Sequence, residues 1–294
     1  MVAPSFLFSQ FMGGLTTAMF LFLIASGLSL VFGVMRVINF AHGSFYMLGA
    51  YLAWQAVQWV HPSSGGFWLA ALFAAVGVGI LGAVVERLFF RSLYGREELY
   101  QLLCTYALVL ILGDVAKFIW GTGQLSVSAP PMLAGSVQIF GTTQPIYSLF
   151  IIAIGPAIAF AGWLALNRTG AGRMVRAAQM DREMLDALGA NVGSLYTGMF
   201  VVSAFLAGLS GALVTPIQSI VPGMDVLIIV QAFIVVVIGG MGSLWGTFWG
   251  SVIYGQVLAF GILIFPSFSL FSVFALMAVI LIVRPWGLFG RPLQ

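Results

Sequence analysis

Nine apolar stretches divide this chain of 294 residues, at about 10–35, 40–60, 67–85, 99–120, 147–166, 195–215, 226–240, 245–264 and 268–284. A helix needs roughly 20 mostly apolar residues to cross a hydrocarbon core about 30 Å thick. Eight stretches therefore predict full spans, and 226–240 predicts a shorter segment. The pattern predicts an all-α, polytopic integral membrane protein of about eight transmembrane helices plus broken or re-entrant segments, forming a single membrane domain over residues 1–294.

Two runs interrupt the plain helices. Val37-Ile38-Asn39-Phe40-Ala41-His42-Gly43-Ser44 places an amide, an imidazole, a glycine and a hydroxyl between apolar stretches, with Asn39 positioned to cap a new helix. Gly239-Gly240-Met241-Gly242-Ser243 repeats the theme near the other end, with Ser243 as the cap. Both read as broken helices inside the protein, because irregular backbone at membrane depth survives only where protein or a water-filled cavity satisfies it, and such breaks line a path or a site. Small residues at four-residue spacing, in Ala75/Gly79/Ala83, Ala204/Gly208/Ala212 and Gly246/Gly250/Tyr254, predict close packing of helices within the chain.

Composition fixes the class. With 61% hydrophobic and 6% charged residues, the chain has too few charges to cover a soluble domain of this size. Ten of its eleven Lys and Arg lie in or beside the breaks. Arg87, Arg91 and Arg96, then Arg168 to Arg182, then Arg284 and Arg291, are expected on the cytoplasmic side, and the uncharged loop 121–144 outside. The net charge of +3 follows from this bias and gives no reason to expect nucleic acid. Sidedness of the N-terminus depends on whether 226–238 crosses fully or returns. Met1 to Gln10 lacks Lys and Arg, so the first helix is expected to stay in the mature protein.

Several chemistries are excluded. Lys117 is the single lysine and does not follow glycine, so the chain has no phosphate loop and no ATPase site of its own. His42 and His61 are not in a ligand-spaced cluster, so no metal and no cofactor are expected. Cys104 stands alone in an apolar run and reads as a packing residue. Asp114 reads as the only acid within a clear span, with Lys117 on the same helical face as its ion-pair partner. Ser210 with His42 as base would suit an intramembrane protease, but the small residues around Ser210 favour packing.

The segment 168–192 is too patterned for a turn. Glycines bracket a charged, helix-favouring stretch in which Met174, Ala177, Ala178, Asp181 and Leu185 fall near one face and Leu188 continues it. It predicts a short amphipathic helix from Met174 to Leu188 on the cytoplasmic surface, docked to a soluble partner or resting on the membrane interface.

Here a resemblance emerges. The glycine, Arg176-Ala177 and Ala187-Leu188-Gly189, followed by Ser203-Ala204-Phe205-Leu206-Ala207-Gly208-Leu209-Ser210-Gly211, resemble the coupling loop and next helix of permeases in ABC importers for branched-chain amino acids. The run from Gly27 through Asn39-Phe40-Ala41-His42-Gly43 to Tyr51 is similar to the signature of the LivH-type subunit, and the Gly239 to Ser243 break matches as well. The resemblance implies a permease half in a bacterial inner membrane, paired with a second homologous permease, resting on two ABC ATPase subunits and served by a periplasmic solute-binding protein. It makes Arg173, Arg176, Asp181, Arg182, Glu183, Leu185, Leu188 and Gly189 the ATPase-coupling set. Asn39, His42, Ser44, Tyr46, Gly239, Gly240 and Ser243 become the candidates for the translocation path, with His42 also readable as a neutral imidazole hydrogen-bonded at a helix start. Many amino-acid-importing relatives carry an acid after the His-Gly pair, where this chain has Ser44. The cargo is then a branched-chain amino acid or a related small polar metabolite such as urea, an amide or an aromatic acid. A self-sufficient secondary carrier or channel is the alternative.

Overall fold

The structure, a computed structural model, describes residues 4–35, 37–60, 65–264 and 266–290; Arg36, His61 and Arg291 lie outside the described residues. The described residues form eleven α-helices: α1 (Pro4–Met35), α2 (Ala41–Trp59), α3 (Gly66–Val85), α4 (Glu98–Trp120), α5 (Ile146–Arg168), α6 (Gly170–Met180), α7 (Arg182–Ala187), α8 (Val192–Val214), α9 (Met224–Gly239), α10 (Leu244–Ile264) and α11 (Ser269–Val283). A π-helical turn, Glu86–Phe90, extends α3. A two-stranded antiparallel hairpin, β1 (Ser136–Ile139) and β2 (Thr142–Pro145), lies in the uncharged loop. Nine of the helices answer to the nine apolar stretches. Six of them, counting α3 with its π-helical turn, are long and apolar enough to cross a membrane, and α2, α9 and α11 complete the set.

Helix directions show which segments share an end of the bundle. At the end of α1, Gly33 meets Gly242, ahead of α10, and Gln179 of α6, while at its start Gln10 donates to the Ala259 carbonyl of α10. Ser9 accepts from Gln144 of β2, which puts the start of α1 at the hairpin end of the bundle. Arg91 reaches to the neighbourhood of Gly193 at the start of α8, and Leu288 of the tail donates to the Ile238 carbonyl of α9. The basic segments thus share one end, here called the cytoplasmic end after the expectation of the positive-inside rule, and the N-terminus lies at the other.

The shorter segment is a crossing in two parts. Residues 215–223 run irregularly inward from the outer end, where Ile220 bridges to Leu125, and α9 then continues to the cytoplasmic end.

α1 is the centre of the bundle. Its 32 residues are buried almost continuously from Ala18 to Val31, so a helix that is apolar all round has neighbours on every side. α8 is wedged between α2 and α3 by small residues: a Cβ on Gly82 would sit 2.5 Å from that of Ala204, and one on Gly208 2.7 Å from Val78. The predicted stripes therefore serve intrachain packing, as Gly246 and Gly250 also do against α9.

The two polar interruptions part company here. The chain after α1 turns back inside the bundle, so that His42, at the head of α2, lies beside Ile24 and Gly27 well back along α1. That is the expected break at membrane depth. Gly239 to Ser243 instead forms the turn joining α9 to α10 at the cytoplasmic end, with Gly240 and Gly242 at positive φ (102° and 81°) and the tail residues Leu288 and Phe289 bonded to the carbonyls of Ile238 and Gly239. Positive φ and backbone-to-backbone approach explain the glycines there, and they correct the expectation that this run breaks a helix in the membrane interior.

Candidate functional site

Ser243 caps α10 as expected, its Oγ accepting from the Gly246 N–H at 3.0 Å. Asn39 does not cap α2: the cap position falls to Phe40 without a side-chain bond, and Asn39 is buried with its Oδ1 unpartnered among the described residues. The Asn39 carbonyl takes the His42 N–H instead, at 3.3 Å. His42 is fully engaged, with Nε2 at 2.9 Å from the Ile24 carbonyl and Nδ1 at 3.3 Å from Ser203 Oγ. A carbonyl only accepts, so a neutral ring with its proton on Nε2 satisfies both contacts. His42 thereby ties α2 to α1 and α8.

Ser44 has a partner that sequence reading missed. Its Oγ donates to Asp225 Oδ2 at 2.8 Å, and Asp225, in the first turn of α9, is 3% exposed. Gly43 allows the approach, since a Cβ there would stand 2.5 Å from the Asp225 carbonyl oxygen. The carboxylate absent from the α2 motif is thus delivered by α9. Asp225 sits two residues after Gly223, whose φ of 90° starts the helix, and an acid at the head of an apolar run was the available signal. Among the described residues no Lys or Arg pairs with it, the one salt bridge being Lys117–Asp114 at 3.0 Å. Two residues beyond Ser44, Tyr46 borders a cavity of about 350 Å³ whose lining also includes Thr16 and Thr17 of α1, Gln218 and Gln231.

Asp114 and Lys117 form the expected local pair near the outer end of α4, both exposed. Asp114 is not, however, the only acid in a span. Besides Asp225, Glu86 is wholly buried at the junction of α3 and its π-helical turn, where Tyr94 Oη and Thr197 Oγ1 each donate to it at 2.7 Å. Its neighbour Arg87 made it look like part of a loop. Burial and the bond to Glu86 push the Tyr94 hydroxyl well above the usual phenol range.

The cytoplasmic segment is two helices rather than one. Thr169 caps α6 through the Gly172 N–H, and Asp181 breaks the chain and caps α7, its Oδ1 accepting from the Met184 N–H at 2.9 Å. α7 ends with Gly189 at φ 82°, with Gly189 N–H on Asp186 O and Ala190 N–H on Leu185 O. The inward face of α6 is Gly172, Val175 and Ala178, not the face through Met174 and Ala177. Leu185 is buried and anchors α7 to the bundle. Arg176 Nη1 donates to the Leu166 carbonyl and, at 3.3 Å, to Asn167, so it fastens α6 to the end of α5. Arg182 lies over the Tyr196 ring at 6.0 Å. Arg173, Glu183, Leu188 and Gly189 are exposed. Three large apolar side chains of this segment face solvent: Met180 (80% exposed) at the end of α6, and Met184 (59%) and Leu188 (77%) on α7 and its terminus.

Ser210 Oγ bonds the Phe20 carbonyl at 3.3 Å and has no contact with His42, which is engaged by Ser203. Ser210→Ala is expected to leave uptake unchanged and to cost at most about 1 kcal/mol of stability. A loss of uptake in a protein of normal melting temperature would contradict the packing role.

A central helix enclosed by apolar helices of membrane-crossing length, with a second helix that starts inside the bundle beside a buried carboxylate, describes a multi-pass membrane protein. Residues 10–283 match the profile of the family described as branched-chain amino acid transport system / permease component. The chain belongs to that family. It is 29% identical to the high-affinity branched-chain amino acid transport system permease protein BraD of Pseudomonas aeruginosa, over 96% of this chain and 95% of that one. It is 28% identical to LivH of Escherichia coli K12 with the same coverage, and 25% identical to a probable LivH of Methanocaldococcus jannaschii over 95% of this chain and 91% of that one.

Proposed function

We propose that this chain is the membrane half of an ATP-driven importer in a bacterial inner membrane, passing a branched-chain amino acid or a related small polar metabolite. It works with a second homologous permease, two ATPase subunits and a periplasmic solute-binding protein. The observation that carries this reading is the exposure of Met180, Met184 and Leu188 along two capped helices at the basic end, large apolar side chains that nothing among the described residues covers. Closure of the ATPases pushes on α6 and α7. Arg176 passes the movement to α5, and Arg182 on Tyr196 passes it to α8.

The path begins at the cavity beside Tyr46 and runs past Ser44 and Asp225, where α2 and α9 both start inside the membrane. Asn39, ahead of α2, holds a further buried and unpartnered acceptor. Half-helices that meet at membrane depth present polar groups to a small solute without exposing them to lipid. Gly239, Gly240 and Ser243 take no part in this path and belong to the cytoplasmic turn.

The test is purification of the chain from its native membrane, with mass spectrometry of what accompanies it and uptake measured with and without ATP. Two ATPase polypeptides, a second permease and nucleotide-dependent uptake are the expected result. Asp225→Asn keeps the shape and the hydrogen bond from Ser44 but removes the charge. It is expected to lower uptake at least about tenfold with normal assembly and melting. Wild-type uptake in Asp225→Asn would remove this residue from the path.

The buried carboxylate also favours a second reading, a carrier driven by a coupled cation. Flux in liposomes from the chain alone, without nucleotide and abolished by Asp225→Asn, would establish it in place of the importer.

A further inference from the structure

The outer side of the α3–α8 pair carries a groove of about 410 Å³ at its cytoplasmic end. One wall is Ala83, Arg87 and Arg91, a stripe along the end of α3 and its π-helical turn; the other is Asn191, Ser194 and Gly198 at the start of α8. Neither arginine makes a salt bridge among the described residues. Glu86, next to Arg87 in sequence, is buried and has both oxygens occupied by Tyr94 and Thr197. Two guanidinium groups against one enclosed carboxylate leave the groove positive. The first turn of α8 adds unpaired backbone N–H groups beyond the one that Asn191 caps at Ser194.

The same two stripes change character toward the membrane. Above Arg87 on α3 come Val84 and Ile80, and above Gly198 on α8 comes Val202, all exposed and all apolar. The helices run antiparallel in contact here, with Gly79 against Phe205, Gly82 against Ala204 and Glu86 bonded to Thr197, so the apolar residues form one surface continuous with the groove. A positive pocket with an apolar track leading away from it, at the level where the anionic leaflet begins, fits a molecule with a phosphate head and acyl chains.

We propose that this groove binds one anionic phospholipid of the inner leaflet, its phosphate between Arg87 and Arg91 and its chains along Ile80, Val84 and Val202. The site abuts the coupling segment, since Asn191 lines it and ends the loop that α7 begins. An occupied groove holds the base of α8 against α3, and the protein requires anionic lipid for efficient coupling.

Native mass spectrometry of the full chain with its natural partners, taken from nanodiscs of phosphatidylglycerol or of phosphatidylcholine, tests this. The wild type retains one additional phosphatidylglycerol, and in Arg87→Gln/Arg91→Gln retention is weaker by about thirtyfold, the attraction of two basic side chains for an anionic surface. Gly198→Phe provides a second variant that keeps both arginines. A Cβ at Gly198 meets nothing within 4 Å, so the ring fills the groove without disturbing the backbone, and the lipid is lost again. Equal retention by wild type and both variants overturns the proposal. So does displacement of the lipid by millimolar inorganic phosphate, which would make the groove a free-anion site, and so does loss of a partner subunit from the variants with lipid count unchanged, which would make it a protein interface.

Discussion

Gly211→Leu is expected to eliminate the folded protein. The α2–α8 contact has no room for a side chain at this position: a Cβ would overlap the carbonyl oxygen of Tyr46 and stand 3.0 Å from the Ala50 nitrogen. One turn away Gly49 makes the reciprocal contact, its missing Cβ occupied by the backbone of Gly208, and Gly208 in turn rests on Val78 of α3. Three helices are therefore in register through glycines, and α8 has no direction in which to yield. Helices in a membrane associate by close packing and hydrogen bonding rather than by expelling water, so a lost contact is not repaired by burying the new side chain elsewhere. Overpacking costs about 1–3 kcal/mol where a side chain gives way; here backbone blocks it, and the cost exceeds that range. Gly113→Leu is the control, because nothing lies within 4 Å of a Cβ there. Detergent-extracted protein measured by size-exclusion chromatography and thermal melting separates the two, and a Gly211→Leu protein that melts like wild type would refute the packing scheme.

The second large effect concerns coupling. Met184→Glu with Leu188→Glu is expected to reduce ATP-linked uptake by roughly a hundredfold, the scale of losing two central apolar contacts of a protein interface. Insertion and melting should stay normal, because both side chains are exposed and neither the Asp181 cap nor the Gly189 terminus of α7 depends on them. Replacing Arg176 is a poorer test. Its guanidinium holds the end of α5, so a loss of uptake would mix docking with a displaced loop. Copurification of ATPase subunits and uptake should fall together in the Met184/Leu188 variant. Unchanged uptake would move the docking surface elsewhere on the basic end.

Much of this was legible in the sequence. Apolar runs of membrane length and the bias of Arg to certain breaks gave the class, the helices and the shared side of the basic segments, because a bilayer penalises charge regardless of how helices are arranged. The LivH-type motifs pointed to the family. The path was harder. His42 and Asn39 were visible as polar residues in an apolar setting, yet only geometry distinguishes the imidazole, bonded at both nitrogens, from the amide, whose oxygen is unpartnered. Asp181 fits a helical face by periodicity, but as a helix breaker its carboxylate competes for the N–H of Met184, and a local hydrogen bond of that kind does not register as spacing.

Sequence by itself determined that the chain is a multi-pass membrane protein and roughly where it crosses, since these follow from transfer energies summed along the chain. Tertiary structure alone decided that Ser44 meets Asp225 across 181 positions of sequence, that Gly239 to Ser243 is a turn rather than a break in the membrane, and that Glu86 is buried. These depend on which helix faces lie together. That choice is made by shape, through contacts such as Gly43 on α9 and Gly211 on α2, and no one-dimensional pattern records it.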